Sequence, residues 1–425
     1  MKDNLILKTL RIRPFLFLIA SEFFSQFSMN LFNFALLIVV FSVANSNTAV
    51  SGVVIAFTLP SLIFGILAGV MVDRWNKKTV LIVTNLLRAI IVLPLAFFYQ
   101  SIGLVYVATF GVAMVTQFFI PAETPIIPLL VKKDLLLSAN ALFGMGIYAS
   151  IFLAYALSGP ILLMLGRTNS FIFLAALFLV AGIFSALIKV NKEKIEPKKL
   201  ERNQVALSFK DEIKVVLSLI SKSKKLSHAL FSLTVVQILI YVLAVIGPGY
   251  AEHVLRIKVE SFPILFVTPA IIGLALGAIV IGSYLHKKPR SSLTKIGLLL
   301  MGLSILILPY GSRVESREII HVINMYLPYF LKINVVHIMV VLAFILGIAT
   351  SLVFVPANTV LQEETSDESR GKVYGVLNSL IGIMSIVPVV IAGSLADLIG
   401  IRAVITGMGI VVLIIAAIRI ITDRE

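Results

Sequence analysis

Twelve apolar runs divide this chain of 425 residues, each near the ~20 residues a helix needs to cross roughly 30 Å of hydrocarbon. They lie at about 14–42, 48–72, 79–99, 101–122, 139–165 and 170–190, then at about 228–251, 262–285, 293–311, 335–357, 373–397 and 403–420. Inside a bilayer every backbone N–H and C=O must be satisfied within the protein, so a chain of this pattern folds as a bundle of membrane-spanning helices. The composition agrees: mean hydropathy is +1.05 and 13% of residues are charged, against about 25% in soluble domains.

The first run follows a basic head and is much longer than the core of a signal peptide, with no small-residue cleavage site, so it reads as a retained helix. The chain has no cysteine, which excludes disulfides and thiolate metal sites; no cofactor or metal is expected. A formal net charge of +15 raises the question of a nucleic-acid partner, and the placement of the charge answers it. With both termini cytoplasmic, most of the 36 Lys and Arg fall in inner segments: the head, the turn at Arg74, Lys77 and Lys78, the pair Lys132 and Lys133, the stretch Lys189 to Lys225, and the run from Lys287 to Lys295. Basic residues in short loops set orientation. The charge therefore reports a multi-pass protein of the cell membrane, with membrane lipids as partners and no nucleic acid.

The turn between the second and third spans, Gly69-Val-Met-Val-Asp-Arg-Trp-Asn-Lys-Lys78, puts one acid and three bases between two apolar runs. Its Gly69, Asp73, Arg74, Lys77 and Lys78 resemble the loop between the second and third helices of the major facilitator superfamily, with Asn76 where the family usually carries a second Gly. Further segments look like the drug-efflux branch that contains macrolide exporters and the enterobactin exporter: Ser25-Gln26, Asn85-Leu-Leu-Arg88, Phe119 to Thr124, Ser138-Ala-Asn140, Phe354 to Gln362 and Arg370 to Gly375. The resemblance implies an all-α integral membrane fold of twelve transmembrane helices in two six-helix pseudo-symmetric bundles. It also implies a conformational latch, in which Asp73 faces the start of the eleventh helix near Gly371; a helix N-terminus favours a nearby carboxylate. There are departures. Asn85 stands where the branch often has Asp, the fifth-helix antiporter pattern is reduced to Gly159-Pro160, and the fourth-helix Arg of many drug antiporters is missing.

An internal repeat supports the two-bundle reading. Phe119-Ile-Pro-Ala-Glu-Thr124 recurs as Phe354-Val-Pro-Ala-Asn-Thr359, and the same shift, within one residue, maps Gly159 to Gly393 and Gly166 to Gly400. Phe57 to Pro60 maps onto Phe266 to Pro269 with a smaller shift. The difference is taken up by a loop at about 311–334, whose Ile319, Ile320, Ile323, Leu327 and Phe330 suit a short interfacial helix. The expected organisation is an N-terminal bundle over 1–190, a cytoplasmic linker over 191–227 with an amphipathic helix at Val205 to Ile220, and a C-terminal bundle over 228–425. In carriers built from such repeats the substrate site lies near the bilayer midplane, at the repeat interface.

Ionisable groups within spans cost about 2.5 to 3.5 kcal/mol each on insertion scales, so each asks for a partner or a function. Glu22, Gln26, Asn30 and Asn33 are spaced by four, four and three residues and share one face of the first helix. A carboxylate there can exchange a proton, bind a cationic substrate, or simply pair with Arg88, which lies ten residues into the third span. Glu123, whose repeat partner is Asn358, reads either as a functional asymmetry or as a solvated or capping carboxylate near the inner interface. Asp397, near the outer end of the eleventh span, reads as solvated. Tyr148, Tyr155, Gln237, Tyr241 and Asn378 are candidates to line a cavity, and Gly144, Gly146, Gly273, Gly277 and Gly382 would permit close helix approach.

No phosphate-cradling or metalloprotease motif is present, so the chain is not expected to be an enzyme. The reading is a monomeric secondary transporter, a proton-coupled exporter of small amphipathic drugs such as macrolides working by alternating access. The alternative is a dedicated carrier of a siderophore, lysolipid or nutrient. A non-transporting receptor or membrane subunit would ordinarily need a soluble domain for which the linker leaves little room.

Overall fold

A computed structural model describes residues 5–189, 223–285, 287–310, 321–322, 324–325, 334–365 and 367–422, except for the side chains at 66, 70, 73, 367–372 and 422. All regular structure among the described residues is helical, and eleven helices are long and apolar enough to cross a membrane. The sequence pattern predicts twelve spans, and the difference has a local cause. The fifth and sixth spans are joined in one element, Leu136–Leu187, of 52 residues. A straight helix of that length would measure about 78 Å at 1.5 Å per residue, more than twice the hydrocarbon thickness. It is broken at Gly166, which has φ 71 and ψ 172, so one element supplies two crossings.

Gly400, the repeat partner of Gly166, also has positive φ, at 91. These two are the positive-φ glycines among the described residues, and each ends the second-last helix of its half. Left-handed backbone at a helix end is the conformation that glycine adopts without a Cβ penalty. The matching pair is an independent sign of the repeat.

The chain forms two compact units, one of Met1–Ala44 with Gly52–Glu201, the other of Asn45–Ser51 with Arg202–Glu425. In the first unit Arg13–Ala44 packs chiefly on Leu136–Leu187, and Lys77–Val92 packs on Leu136–Leu187 and on Ile102–Glu123. Small side chains bring the helices together: Ser21 Oγ donates to Ala181 O at 3.0 Å and lies 2.6 Å from Ser185 Oγ, while Phe24 stacks on Phe184.

In the second unit Val335–Glu363 packs on Thr268–Val280 and on Arg290–Ile307. A Cβ at Gly273 would lie 2.1 Å from Phe344 O, and one at Gly277 would lie 2.0 Å from Ser351 Oγ. Both glycines therefore do what the sequence suggests for them. Gly144 does not, since nothing lies within 4 Å of its Cβ position. The linker helix at Val205 to Ile220 and the loop positions Ile319, Ile320, Ile323, Leu327 and Phe330 lie outside the described residues.

Candidate functional site

Arg88, on the face of Lys77–Val92 turned inward in the first unit, is 1% exposed. A guanidinium at this depth needs counter-charge and hydrogen-bond acceptors. Its Nη1 donates to Ser25 Oγ at 2.8 Å and to Asn85 Oδ1 at 3.4 Å, and Ser25 Oγ itself donates to Asn85 Oδ1 at 3.0 Å. Asn85, three residues earlier on the same helix, thus takes the contact that an aspartate would otherwise make. The plane of the guanidinium is covered by rings: Arg88 Cζ lies 4.4 Å from the centroid of Phe119 and 5.7 Å from that of Phe178. Cations over aromatic faces gain from the ring quadrupole, most when desolvated.

Two carboxylates complete the cluster. Glu22, on Arg13–Ala44, is 2% exposed, and Glu123, at the end of Ile102–Glu123, is 6% exposed. Both act electrostatically on Arg88 and on each other. The two carboxyl groups are close enough to hydrogen-bond each other when one carries a proton, and no other hydrogen bond reaches Glu22 or Glu123 Oε2, nor the Nε and Nη2 atoms of Arg88. The sequence leaves Glu22 as a proton exchanger, a cation site or a partner of Arg88; the structure brings Glu22 and Arg88 into one buried cluster, while the hydrogen bonds of Arg88 go to Ser25 and Asn85. For Glu123 the correction is larger. It is neither solvated nor a cap, since its side chain caps no helix end. The chain beyond it turns through Thr124–Ile126 into Ile127–Leu130.

The arrangement has a simple charge balance. One guanidinium faces two carboxyl groups in a dry site, so the cluster is neutral when one acid carries a proton and the other does not. Unpaired buried charge is the costly alternative. Chemically, such a site can hold and release a proton, and a bound cation can take the place of that proton.

The remaining candidates divide. Gln26, Asn30 and Asn33 are half-buried on the same helix as Glu22; Asn30 Nδ2 donates to Gln26 O at 2.8 Å, and Asn33 Oδ1 is buried without a hydrogen-bond partner. Tyr155 meets Phe34 edge to face, with centroids 5.5 Å apart, and Tyr148 is 74% exposed. In the second unit Gln237 and Tyr241, one helical turn apart, interact through their side chains, and Asn378 is exposed.

In the turn after Asn47–Arg74, Asn76 Oδ1 accepts from Thr79 N at 3.2 Å and so caps Lys77–Val92, and Lys77 Nζ donates to Val72 O at 2.9 Å. Trp75 stacks on Phe118, with centroids 5.9 Å apart. Gly69 is half-buried with open space at its Cβ position, Arg74 is exposed and Lys78 half-buried. The side chain of Asp73 and the surroundings of Gly371 lie outside the described residues, so the proposed contact between them is not seen. The sequence reading missed Ser25, Asn85, Phe119 and Phe178 as site residues. The usable signal was spacing: Ser25 follows Glu22 by three residues, and Asn85 precedes Arg88 by three.

A family model described as Major Facilitator Superfamily matches residues 18–330 and 319–425 of the chain. The uncharacterized MFS-type transporter YkuC of Bacillus subtilis (strain 168) is 26% identical over 271 residues, 60% of this chain and 60% of that protein. Among solved structures, the nucleoside transporter NupG aligns with a TM-score of 0.75 at 12% identity, covering 97% of this chain and 99% of that one. A bacterial homolog of the human lysosomal transporter Spinster, inward-facing and unoccupied, aligns with a TM-score of 0.70 at 15% identity and 97% coverage of both chains. A POT family transporter in complex with 5-aminolevulinic acid aligns with a TM-score of 0.70 at 14% identity and 96% coverage of both. At these identities the structural matches establish the fold.

Proposed function

The chain belongs to the major facilitator superfamily and is a multi-pass membrane transporter, not an enzyme; from that premise we propose that it is a proton-coupled exporter of small amphipathic compounds, of the drug-efflux branch, working as a monomer. The observation that carries this reading is the buried cluster of Glu22, Glu123 and Arg88, which holds one more acid than base. Proton entry neutralises the second carboxyl, and a cationic, partly apolar substrate can replace that proton. Coupling follows from the exclusion of both at once, because a ligand shifts an equilibrium only by its differential affinity for the two states. The excess of Lys and Arg in alternate loops supports cell-membrane insertion with cytoplasmic termini, and the sequence repeat supports bundles over 1–190 and 228–425 joined by a linker.

A dedicated carrier of a polar solute is the second reading, favoured by the amides Gln26, Asn30 and Asn33. The buried and unpartnered Asn33 Oδ1 suits a substrate with its own hydrogen-bond donor.

The test is transport. The chain would be expressed in cells lacking their main efflux pumps, and accumulation of a panel of dyes, macrolides, nucleosides and siderophores compared with and without a proton gradient. Gradient-dependent lowering of cationic dyes and macrolides, lost in Glu22→Gln, is expected. A response confined to one polar solute establishes the second reading instead, and no gradient-dependent change for any compound sinks both.

A further inference from the structure

The short helix Leu5–Leu10 lies in the basic head of the chain and is joined by Arg11 and Ile12 to the first spanning helix, Arg13–Ala44. Two inward groups dock it on the first unit. Thr9 is 0% exposed; its Oγ1 donates to Leu5 O at 2.7 Å and lies 3.1 Å from Oγ of Ser138, which is buried near the start of Leu136–Leu187. Ile12 packs against the buried cluster that includes Phe15, Leu18, Leu135 and Ala139. Six residues are too few for a helix that holds itself together in water, so these contacts fix it in place.

The outward side is apolar. Leu5, Ile6 and Leu7 are 44%, 46% and 56% exposed. At 3.6 residues per turn Leu7 lies about 200° around the helix from Thr9, so Leu7 points away from the bundle while Thr9 points in. Removing three such side chains from water is favourable, and the next element supplies the means. Arg13 opens a helix that crosses the membrane, which puts Leu5–Leu10 close to where the chain leaves the hydrocarbon. A helix at that level with its apolar side turned from the protein suits the boundary between acyl chains and headgroups.

The charge around this apolar row is mostly positive. Lys8, Arg11 and Arg13 are exposed on the head itself. The helix packs against the turn Lys133–Leu135, where Lys132 and Lys133 are exposed as well. Against these bases stand Asp134 in the same turn and Asp3, which lies outside the described residues. Clusters of Lys and Arg beside a spanning helix attract anionic lipids, and the planar fork of Arg matches phosphate oxygens. Apolar row and bases together have the two-part chemistry of a phospholipid, an acyl region below a negatively charged headgroup.

We propose that the head is a binding site for anionic phospholipid: Leu5, Ile6 and Leu7 enter the acyl region of the leaflet, and Arg11, Arg13, Lys132 and Lys133 hold headgroup phosphates. The site is built from contacts inside the first unit and from the crossing of the membrane, so it holds whichever solute the carrier moves.

The chain lacks cysteine, which makes single-cysteine reporters direct. Leu7→Cys and, as a control, Val107→Cys, a position 68% exposed in Ile102–Glu123, would each carry a bimane dye in full-length protein reconstituted into vesicles. Quenching by spin-labelled phosphatidylglycerol would be compared with quenching by spin-labelled phosphatidylcholine. At position 7 the anionic lipid should quench about fivefold more effectively, the scale of one basic contact near an anionic surface, while at 107 the two lipids should quench alike. Arg11→Gln combined with Lys132→Gln and Lys133→Gln should bring the two lipids level at position 7, with both still quenching. Arg11→Gln alone should lower the preference part way, and it keeps the test open should the triple variant fold poorly. The proposal is overturned if neither lipid quenches at 7, if both quench there alike without the substitutions, or if the preference survives them or appears equally at 107. Self-quenching between dyes on two chains in place of lipid quenching overturns it in favour of a second copy on the apolar row. A preference abolished by inorganic phosphate but not by chloride at equal ionic strength overturns it in favour of a site for the free anion.

Discussion

The two copies of the same short motif, Phe119 to Thr124 and Phe354 to Thr359, are both α-helical up to the fifth position and differ in chemistry there. Each carries a proline inside a long helix, Pro121 in Ile102–Glu123 and Pro356 in Val335–Glu363. In the first copy the fifth position is Glu123, buried and in the field of Arg88 and Glu22. In the second it is Asn358, half-buried, which accepts from Tyr374 Oη at 3.0 Å and donates to Phe354 O at 3.4 Å. The neighbouring helices differ in the same sense: Lys77–Val92 places Arg88 in the cluster, whereas Arg290–Ile307 carries no ionisable residue after Lys295. Shared positions supply helix packing. The positions that diverge carry the charge, and a buried charge persists only where a partner compensates it.

The comparison is broken most severely at Arg88. Arg88→Ala leaves two buried carboxyl groups without a counter-charge, a loss of about 3 to 5 kcal/mol for removing one partner of a buried pair. Thermal melting in detergent should fall steeply, and size exclusion should show loss of the monodisperse peak. Adding Glu22→Gln and Glu123→Gln to that variant should restore most of the melting temperature. A triple variant no more stable than Arg88→Ala would show that Arg88 is held for its packing on Phe119 and Phe178, not for charge balance.

Swapping the fifth position between the copies comes next. Glu123→Asn gives the first half the residue of the second; the protein should fold and its gradient-driven transport should fall by about tenfold or more, the low end for loss of a proton-transfer group. Asn358→Glu should confer no coupling. It exchanges a satisfied amide for a carboxylate in a unit with no buried arginine among its described residues, at a cost of about 1 to 3 kcal/mol, read as a lower melting temperature. Coupled transport surviving in Glu123→Asn would remove Glu123 from the mechanism and leave Glu22 alone.

How much of this was legible in the sequence follows from what each residue type costs in a membrane. Glu22 and Arg88 stand out because a charge in an apolar run is expensive wherever it points, and the structure places both in one cluster. Glu123 stayed open between a functional asymmetry and a solvated or capping carboxylate because its place near a helix end is equally compatible with solvent, and its burial shows only in three dimensions. Ser25 and Asn85 are cheap in a helix and announce nothing until a guanidinium is found beside them. The joined fifth and sixth spans were separable in sequence by Gly166, Arg167 and the polar residues after it, while the continuity of the element across the kink was not. Asp397 shows the limit most clearly: its exposure was readable, but the five hydrogen bonds it accepts come from Ser46, Asn47 and Thr48, some 350 positions away in sequence.

The backbone half of the comparison is sharpened by Gly166→Ala and Gly400→Ala. Both positions have positive φ with nothing within 4 Å of the Cβ position, so steric crowding by neighbours plays no part. Each substitution should cost about 1 to 2 kcal/mol from left-handed strain alone, and the two melting temperatures should fall by similar amounts. A large difference would mean that one of the two turns is not intrinsic to the repeat.

The smallest effects test the neutral copy. Tyr374→Phe removes the hydroxyl that donates to Asn358 and accepts from Gln362 Nε2 at 3.3 Å. Around it the groups are half-buried or exposed, so the freed amides can rehydrate and the loss should stay near 0.5 to 1.5 kcal/mol, with coupling unchanged. Ser25→Ala in the first half also deletes a single hydroxyl, but that hydroxyl bridges Arg88 and Asn85 in a dry site, and bonds to charged groups are worth about 1.5 to 3 kcal/mol. The two melts measured side by side should rank Ser25→Ala as the more damaging. If Tyr374→Phe proves the worse, the polar group that matters at this level of the helices belongs to the neutral half, and the asymmetry of charge does not govern the asymmetry of stability.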